Sequence, residues 1–385
     1  RIPHLDQLPY LTLSRGATTM TGESPAEPLK AEAVPSIMTG VCGMTEDGLP
    51  EVDWDSLTFS FTETDRMYIA TCKQGDEWGQ GKMQDFQNLS LSPAAGVINY
   101  GQGLFEGMKA QHAADGSIVL FRPLENARRS REGARRLGMT PVPEEMFLDA
   151  IMQTVRENSR WVPPMGKGAL YVRPLLFGSG AILGVAPAPE YTFLVYVSPV
   201  GPYFKGGITP TSLRVSDEFH RAAPGGSGGV KAIGNYAPGM VPSQMAKSEG
   251  FSEIIYLDAV NHRYIEEVGA ANFFCVKDGV ISTPELTGTI LPGVTRSSVM
   301  ELAESKGYEV REEKIDVAYA LEAEECFCVG TAAVISSIGR IEHGGRVVEY
   351  CGGKVGPIAL ELYECLTEIQ QRRAPDEFGW TLAVK

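Results

Sequence analysis

Residues 200–211 read VGPYFKGGITPT, a segment dense in glycine and proline that divides the sequence into two parts. Two apolar runs precede it, ALYVRPLLFG at residues 169–178 and EYTFLVYVSPV at residues 190–200, and both are typical of buried strands. Glycine and proline mark connections between such elements. We therefore predict an interdomain linker at residues 200–208. It separates an N-terminal domain, residues 31–199, from a C-terminal domain, residues 209–385.

On the N-terminal side of the linker, strand and helix patterns alternate. Residues 57–72, LTFSFTETDRMYIATC, predict a strand, a turn and a second strand. Residues 124–139, LENARRSREGARRLGM, predict a basic helix that ends at Gly138. Residues 144–162 carry apolar side chains in helical spacing. This half is therefore predicted to mix helix and sheet.

On the C-terminal side, a glycine-rich run precedes paired strands and a closing helix. Residues 273–284, FFCVKDGVISTP, predict a hairpin with Asp278 and Gly279 in its turn, and residues 340–350, RIEHGGRVVEY, predict another. Residues 356–371 predict an amphipathic helix. The predicted fold class is α/β, in a mixed α+β arrangement of two domains.

Composition excludes several classes of protein. The 385 residues carry a formal net charge of -14, which disfavours nucleic acid as a partner, and no apolar run reaches the ~20 residues that span a bilayer. Seven cysteines, an odd number, fit a reducing compartment. Cys326 and Cys328 point to the same face of a predicted strand, where two buried thiols are expected rather than a metal site. We predict no bound metal.

The first thirty residues lack strand or helix periodicity. They carry Arg, Ser and Thr before an acidic, proline-containing stretch, so we predict that residues 1–30 are disordered or the remnant of a transit peptide. Asp6, Glu23 and Glu27 count against the transit peptide, because such segments are poor in acidic residues.

Lys231 is the strongest candidate for a nucleophile. It lies in GGSGGVKAIGNY, residues 225–236, where glycines permit close approach of a ligand and Val230 and Ala232 surround the amine with apolar groups. Desolvation lowers the pKa of a lysine and lets it attack carbonyl groups. The alternative is a solvated lysine beside a flexible loop. Tyr236 could contribute a hydroxyl to the same site.

Other candidates also have ordinary structural alternatives. Val294 and Thr295 begin a predicted helix, whose free N–H groups favour an anion, although Thr295 could be a simple N-cap. The segment GTAAV, residues 330–334, suits either a backbone-lined pocket or tight strand packing. Glu266 and Glu267 are either one buried acceptor and its solvated neighbour, or two residues of an exposed edge. Arg173 interrupts an apolar strand, so its charge must either form a salt bridge or face a cavity.

Seven motifs occur in an order that resembles the branched-chain aminotransferases of pyridoxal 5'-phosphate (PLP) fold type IV. The residues of these motifs are closest to those of plant and bacterial members. They are NYGQGLFEGMKA, FRPLENARR, LYVRPLLFG, VKAIGNYAPG, EEVGAANFF, GTILPGVTR and CVGTAAV. The resemblance covers about residue 50 to the C-terminus. It implies a smaller N-terminal α/β domain, a larger C-terminal pseudo-barrel domain and PLP as cofactor.

The resemblance also implies residue roles at the cofactor. Lys231 would form the Schiff base and carry the catalytic proton, Tyr236 would hydrogen-bond the phenolic oxygen of PLP, and Glu267 would accept a hydrogen bond from the pyridine nitrogen. Glu266 would be the solvated neighbour. Phosphate would bind Arg129, with Arg128 as the alternative. The remaining residues assigned to the phosphate are Val294, Thr295 and Thr331.

The substrate pocket implied by the resemblance is aromatic, which suits a branched aliphatic side chain. Its residues would be Tyr100, Phe105, Tyr171, Arg173, Tyr203 and Ala332, the last through its backbone N–H. The implied activity is reversible transamination of L-leucine, L-isoleucine and L-valine with 2-oxoglutarate and glutamate. The alternatives are a D-amino acid aminotransferase, aminodeoxychorismate lyase or a methionine-related 2-oxo acid aminotransferase.

The same resemblance implies a homodimer whose site lies near the interface, with Tyr100 or its neighbours close to the partner chain. A plastid or mitochondrion is the expected location, with the cytoplasm as the alternative. The sequence does not rank leucine, isoleucine and valine, because pocket volume depends on packing.

Overall fold

The computed structural model of the protein describes residues 41–44, 50–204 and 207–385. The segment 1–30, predicted to be disordered or a transit-peptide remnant, lies outside these residues. Lys205 and Gly206 of the predicted linker also lie outside them.

Helices and strands alternate along the described chain. The α-helices are α1 Gly96–Tyr100, α2 Pro123–Arg136, α3 Glu144–Glu157, α4 Met240–Ser248, α5 Val294–Ser305, α6 Val317–Ala320 and α7 Pro357–Gln370. The strands up to the linker are β1 Val41–Met44, β2 Pro50–Val52, β3 Arg66–Lys73, β4 Lys82–Asp85, β5 Gly103–Phe105, β6 Met108–His112, β7 Ile118–Phe121, β8 Ala169–Gly178 and β9 Glu190–Val200. The strands after it are β10 Thr211–Ser216, β11 Glu253–Leu257, β12 Ile265–Val268, β13 Ala271–Lys277, β14 Val280–Pro284, β15 Glu309–Glu313, β16 Glu325–Gly330, β17 Val334–His343, β18 Arg346–Glu349 and β19 Thr381–Ala383.

The first large sheet has the order β19-β7-β6-β8-β9-β3-β4, and β5 pairs with β8. β8 and β9 form its centre, and the whole of β8 pairs with β9, from Ala169 opposite Val200 to Gly178 opposite Tyr191. α3 packs on this sheet because Phe147 and Ile151 recur at helical spacing and both are fully buried. Phe147 stacks on Phe193 with ring centroids 5.6 Å apart.

The second large sheet closes on itself. Its path runs β12-β11-β10-β17-β16-β13, and β13 pairs back with β12, so six strands form a ring. β14 and β15 extend the sheet beyond β13, and β18 pairs with β17. Ring closure removes the free edges of these strands. The predicted pseudo-barrel and the mixed α/β class are confirmed.

Side chains of the ring strands alternate between two apolar clusters. Phe273, Cys326 and Cys328 belong to one cluster. Phe274 and Phe327 belong to the other, where helices α5 and α7 cover the sheet. Cys326 and Cys328 share a face and are buried, as predicted from their spacing.

The strands divide at the predicted linker with one exception. β19, from the C-terminal end, pairs with β7 in the first sheet. The N-terminal half also contacts the barrel half at β5, where Leu104 bridges to Ala232. The domain boundaries at 31–199 and 209–385 stay a prediction.

One predicted element is wrong. The sequence predicts two strands within residues 57–72, but only β3 forms there. Leu57 is buried, whereas Phe59 and Phe61 are about half exposed. The alternation of apolar residues at 57–61 therefore marks irregular chain, not a strand of the sheet. No helix in the described ranges is long and apolar enough to cross a membrane.

Candidate active site

Lys231 lies in the connection from β10 to α4, and this connection is held on several sides. The backbone N–H of Phe105 donates to the Lys231 carbonyl at 3.1 Å, which docks the segment on β5. Asn235 Nδ2 donates to the carbonyls of Ser227 at 2.7 Å and Val230 at 2.8 Å. Gly228 permits this arrangement, because a Cβ there would lie 2.2 Å from the Thr289 carbonyl oxygen.

The Lys231 amine is half-buried among aromatic rings. Its Nζ donates to Tyr236 Oη at 3.2 Å and lies 4.7 Å from the centre of the Phe105 ring. Burial, reinforced by the Arg129 cation, lowers the pKa of Lys231 to about 8. A solvated lysine on a flexible loop does not match this environment. A larger fraction of Lys231 is therefore neutral, and nucleophilic, at physiological pH than of an ordinary lysine.

Glu267 is 1% exposed on β12 and is held by two donors. The Leu291 backbone N–H donates to Oε1, and Arg221 Nε lies 3.0 Å from Oε2. Burial raises the pKa of Glu267 to about 7, while Arg221 acts in the opposite direction. Arg221, the Leu291 N–H and Lys231 each offset part of this desolvation and favour the carboxylate form as an acceptor.

Glu266 is not the solvated neighbour that the sequence suggested; that prediction is wrong, and so is the alternative of an exposed edge. Glu266 is 6% exposed and accepts a hydrogen bond from Thr289 Oγ1. The cause is a β-bulge: Tyr256 pairs with Glu267 and Leu257 pairs with Ile265, so Glu266 is an extra residue in β12. A bulge breaks the two-residue alternation of a strand, so adjacent residues can both be buried.

The start of α5 offers free backbone N–H groups for an anion. Gly293 is its N-cap, and no side chain caps the helix. Thr295 is the second residue of the helix and is buried, so the simple N-cap interpretation of Thr295 does not hold. Arg129 Nη1 donates to the Pro292 carbonyl at 3.0 Å and so lies beside this helix start.

Arg129 and Arg128 have different surroundings. Arg129 has a side chain only 11% exposed and makes two hydrogen bonds with Glu106, Nε to Oε1 at 2.8 Å and Nη2 to Oε2 at 2.7 Å. Burial would raise the pKa of Glu106, but Arg129, with Lys231 and Asn126, holds it below its usual value. Arg128 is half exposed and pairs with Glu125. This geometry favours Arg129 over Arg128 at an anion site.

The turn that joins β16 to β17 docks on β6. Thr331 Oγ1 donates to the Gly107 carbonyl at 3.3 Å, and Lys109 Nζ donates to the Ala332 carbonyl at 2.6 Å. Val334 has φ 64°, which a β-branched residue adopts only under strain. The turn is therefore held in one conformation from both sides. Burial lowers the pKa of Lys109 to about 8.

Arg173 faces Phe105 and Tyr171. Its guanidinium carbon lies 4.6 Å from the Phe105 ring centre and 5.2 Å from that of Tyr171, and Nη2 donates to Tyr171 Oη at 3.4 Å. Its buried Nε has no hydrogen-bond partner within the described chain. The internal salt bridge considered from sequence is thus not what holds it. Phe59 packs edge-on against Tyr171 at 5.1 Å.

Two of the sequence candidates lie apart from Lys231. Tyr100 is exposed at the end of α1, and its hydroxyl donates to the Leu183 carbonyl. Tyr203 is 54% exposed and packs on Phe204, although it lines a cavity of about 180 Å³ together with Lys109 and Ala332. Contacts among the described residues do not join Tyr100 or Tyr203 to Lys231.

Sequence reasoning missed three charged residues of the site. They are Arg221 at Glu267, Glu106 at Arg129 and Lys109 at Ala332. Glu106 and Lys109 both occur in the motif NYGQGLFEGMKA, so alternation along β6 could have placed Lys109 on the face of Tyr171. Arg221 carried no signal, because its partner lies 46 positions away and on another strand.

The residues fit PLP. A carbonyl ligand suits a lysine of lowered pKa, a phosphate suits the uncapped start of α5 beside Arg129, and a pyridine nitrogen suits the buried Glu267 carboxylate. The Nε of Arg173, buried and without a hydrogen-bond partner among the described residues, adds a positively charged donor to the site. The arrangement can therefore hold an anionic carbonyl cofactor and a carboxylate substrate together.

Comparisons with known proteins agree with this geometry. Residues 103–341 match the family model of amino-transferase class IV. A chloroplastic branched-chain-amino-acid aminotransferase of Arabidopsis thaliana is 51% identical over 92% of this chain and 84% of its own length. A mitochondrial branched-chain amino acid aminotransferase of Humulus lupulus is 48% identical over 86% of this chain and 84% of its own length. The solved structure of the Escherichia coli branched-chain amino acid aminotransferase has a TM-score of 0.73 at 26% identity, and covers 84% of this chain and 100% of that one.

Proposed function

The chain belongs to the amino-transferase class IV family, and from this premise we propose that it transfers the amino group of L-leucine, L-isoleucine or L-valine to 2-oxoglutarate, giving a branched-chain 2-oxo acid and glutamate. Its activity is that of a branched-chain-amino-acid aminotransferase, and its cofactor is PLP. The same residues would run the reaction in either direction.

One observation supports this proposal above the others. Lys231, a lysine of lowered pKa, contacts Tyr236 and lies in the field of the buried Glu267 carboxylate. Class IV aminotransferases use PLP, so a nucleophilic amine is needed at the point where the cofactor carbonyl binds.

Five regions of the chain would hold the cofactor. Lys231 would bind its carbonyl carbon and Tyr236 its phenolic oxygen, while Glu267 would accept from its pyridine nitrogen. Arg129, the start of α5 at Val294 and Thr295, and Thr331 would bind its phosphate. When bound, PLP accepts the amino group of the amino acid and withdraws electrons from its α-carbon.

The chain's own residues would then handle protons and orientation. The Lys231 amine, once free, takes the α-proton of the substrate, and its lowered pKa makes it a base at neutral pH. The hydrogen bond from Lys231 Nζ to Tyr236 Oη, 3.2 Å long, holds the amine in place. The contact with Arg221 favours the ionised form of Glu267, which would keep a pyridine nitrogen protonated.

The substrate would lie between the two sheets. The backbone N–H of Ala332 would bind the α-carboxylate, since Lys109 and Thr331 fix this turn on β6. Phe105, Tyr171 and the aliphatic part of Arg173 would wall the side-chain pocket. Burial of a branched aliphatic group against such walls contributes about 1.5–3 kcal/mol. Tyr203 would contribute from the rim, where it lines a cavity with Ala332.

We also propose a homodimer, with Tyr100 near the partner chain. Leu183 is 92% exposed and Val185 88% exposed in a loop that receives the Tyr100 hydroxyl bond. We place the interface at this loop because an exposed apolar patch marks a contact with another protein. A plastid or mitochondrion is the proposed location, since the plant relatives are chloroplastic or mitochondrial.

The test is transamination by the purified holoenzyme with 2-oxoglutarate and a panel of L-branched, L-aromatic, L-methionine and D-amino acids. We expect the three branched-chain L-amino acids to turn over fastest, by a ping-pong mechanism. Activity with D-alanine alone would contradict the proposal and favour a D-amino acid aminotransferase. No activity with any member of the panel would also contradict it and favour a lyase.

The same assay tests Lys231. Lys231→Ala should retain the cofactor but lose turnover by roughly three orders of magnitude, the range for removal of a proton-transfer group. Lys247→Ala, an exposed lysine of α4, is the matched control and should turn over normally. Substantial transamination by Lys231→Ala without added amine would assign the proton transfer to another residue.

A further inference from the structure

A second cavity, of about 240 Å³, lies beside β12 and is lined by none of the residues proposed for the active site. We propose that it binds a small apolar amino acid through its ammonium group. The residues that carry the argument are Asp258, Val260, Glu266, Thr289, Ile290 and Lys314. Binding here is independent of the proposed function, whereas its effect on turnover rests on it.

The Glu266 carboxylate has an unsatisfied hydrogen-bonding position that a ligand can fill. It lines the cavity and is 6% exposed, and Oε1 accepts a hydrogen bond from Thr289 Oγ1. Oε2 is buried and has no hydrogen-bond partner among the described residues. A buried carboxylate oxygen without a donor is costly. An ammonium group carries three donors and one positive charge, which match the needs of this oxygen.

The other charged residues of the cavity shape the rest of the ligand. Asp258 adds negative charge but little free acceptor capacity, since it already accepts from the backbone N–H groups of Asn261, Arg263 and Tyr264. Lys314 is 61% exposed and can meet a carboxylate at the rim, where its nearest acid, Glu285, is 4.0 Å away. A ligand with both an ammonium and a carboxylate group fits these two charges.

The walls favour an apolar side chain. Ile290 is buried, Val260 is 65% exposed at the mouth, and Ala259 and Pro284 also face the cavity. A metal ion is disfavoured, because no group of three His, Cys, Asp or Glu residues in the described chain could hold one. The cavity has the liquid-volume share of roughly eight water molecules at about 30 Å³ each, which admits a small amino acid.

The cavity is tied to the active site by residues 289–291. Thr289 donates to Glu266 through its hydroxyl and accepts from Arg221 Nη1 at 3.0 Å through its carbonyl. Arg221 pairs with Glu267, and the Leu291 N–H donates to the same carboxylate. A ligand that displaces the Glu266 carboxylate also acts, through residues 289–291, on Arg221 and Leu291, the two donors that hold Glu267. Occupancy of the cavity is therefore expected to lower kcat.

The probe for this site is 1-aminocyclopentane-1-carboxylic acid, an apolar amino acid that lacks the α-proton and is not transaminated. Calorimetry of the holoenzyme should show a binding component that weakens by about tenfold or more in Glu266→Gln, the effect of losing a charged hydrogen-bond acceptor. Val260→Trp, which fills the mouth, should remove the same component. Val347→Trp is the control, an exposed valine on β18 that should bind as the wild type does.

The outcomes separate this inference from the proposed function. Binding that is unchanged in both Glu266→Gln and Val260→Trp would overturn the second site, whatever the turnover. If the protein shows Glu266-dependent binding but no transaminase activity, only the proposed function is contradicted. With substrate saturating, the probe should lower kcat at least about twofold in the wild type and in Val347→Trp but not in Val260→Trp; a constant kcat would overturn the link to Glu267.

Discussion

Glu266 and Glu267 show how far two adjacent residues of one type can differ. Both are buried, and burial raises the pKa of each, but only Glu267 has a cation in direct contact. Glu266 has a hydroxyl on one oxygen and no partner on the other within the described chain. Without a cationic ligand beside Glu266, the charge of the pair is therefore expected on Glu267, where a pyridine nitrogen needs it; an ammonium group at Glu266 would favour ionisation of that carboxyl as well.

Arg221 should control the pH range in which that charge persists. Arg221 lowers the pKa of Glu267, so Arg221→Met should raise this pKa above about 7 and protonate the carboxyl at neutral pH. A carboxyl with a raised pKa is charged only at higher pH, so the acid limb of the kcat profile should move upward. Each tenfold rise in the proton affinity of Glu267 should lower activity at pH 7 on the order of tenfold, and activity should recover toward pH 9.

The control for this change is Arg214→Met, an arginine of β10 paired with Glu249 and Glu342 on the surface. It should leave the pH profile in place. An equal loss of kcat at every pH in Arg221→Met would show that Arg221 only supports the fold of the segment before Lys231.

At the scale of single elements, Asn158 joins a helix to a strand. It ends α3 as the C-cap, and its Oδ1 accepts from the backbone N–H groups of Asp65 and Arg66, each at 3.0 Å. Its Nδ2 donates to the carbonyls of Arg66 and Thr154. One fully buried side chain thus satisfies four backbone groups of α3 and β3.

Asn158→Ala should therefore destabilise the protein. The change leaves two part-buried N–H groups without acceptors, at about 1–3 kcal/mol each, so the free energy of unfolding in urea should fall by about 2–6 kcal/mol. Asn99→Ala removes an exposed asparagine that also donates to backbone carbonyls, those of Pro93 and Ala95 just before its helix, and it should cost far less. Equal losses in the two variants would mean that the Asn158 network adds no net stability.

Elements with a strong local pattern were predictable from sequence. β8 and β9 begin and end at the predicted residues, and the hairpin turn at Asp278 and Gly279 has positive φ at both positions. These features depend on the period of side chains and on turn chemistry, which are local. The bulge at Glu266 and the pairing of β12 with β13 depend on distant strands, so the local sequence does not contain them.

The resemblance to a family supplied what local patterns could not. It led to Lys231, Tyr236 and Glu267 as one cluster, and the structure brings their side chains into a common charged environment. Arg221 and Lys109 stayed hidden, because their partners are a carboxylate and a carbonyl from other parts of the chain. Chemistry-bearing residues were thus easier to predict than the residues that position them.

At the scale of the whole molecule, the site is built where the first sheet meets the barrel. β5 and β6 and the turn between them supply Phe105, Glu106 and Lys109, while the barrel supplies Glu267 and the turn at Thr331. Neither half alone therefore contains all the side chains of the site. Loops at the strand ends of the first sheet, including the β8–β9 loop with Leu183, still present apolar surface to solvent.

This apolar surface leads to a prediction about assembly. Leu183→Glu with Val185→Glu places two charges on side chains that are 92% and 88% exposed, so the folded chain should tolerate both changes. A dimer that buries these residues would have to desolvate the charges, which costs several kcal/mol per unpaired ion. Sedimentation analysis should therefore show a dimer for the wild type and a folded monomer for the double variant. Val347→Glu, which places a charge on the exposed valine of β18, is the control and should stay dimeric. If the double variant at Leu183 and Val185 is still a dimer, the interface lies on another face. A monomeric wild type would refute the proposed dimer altogether.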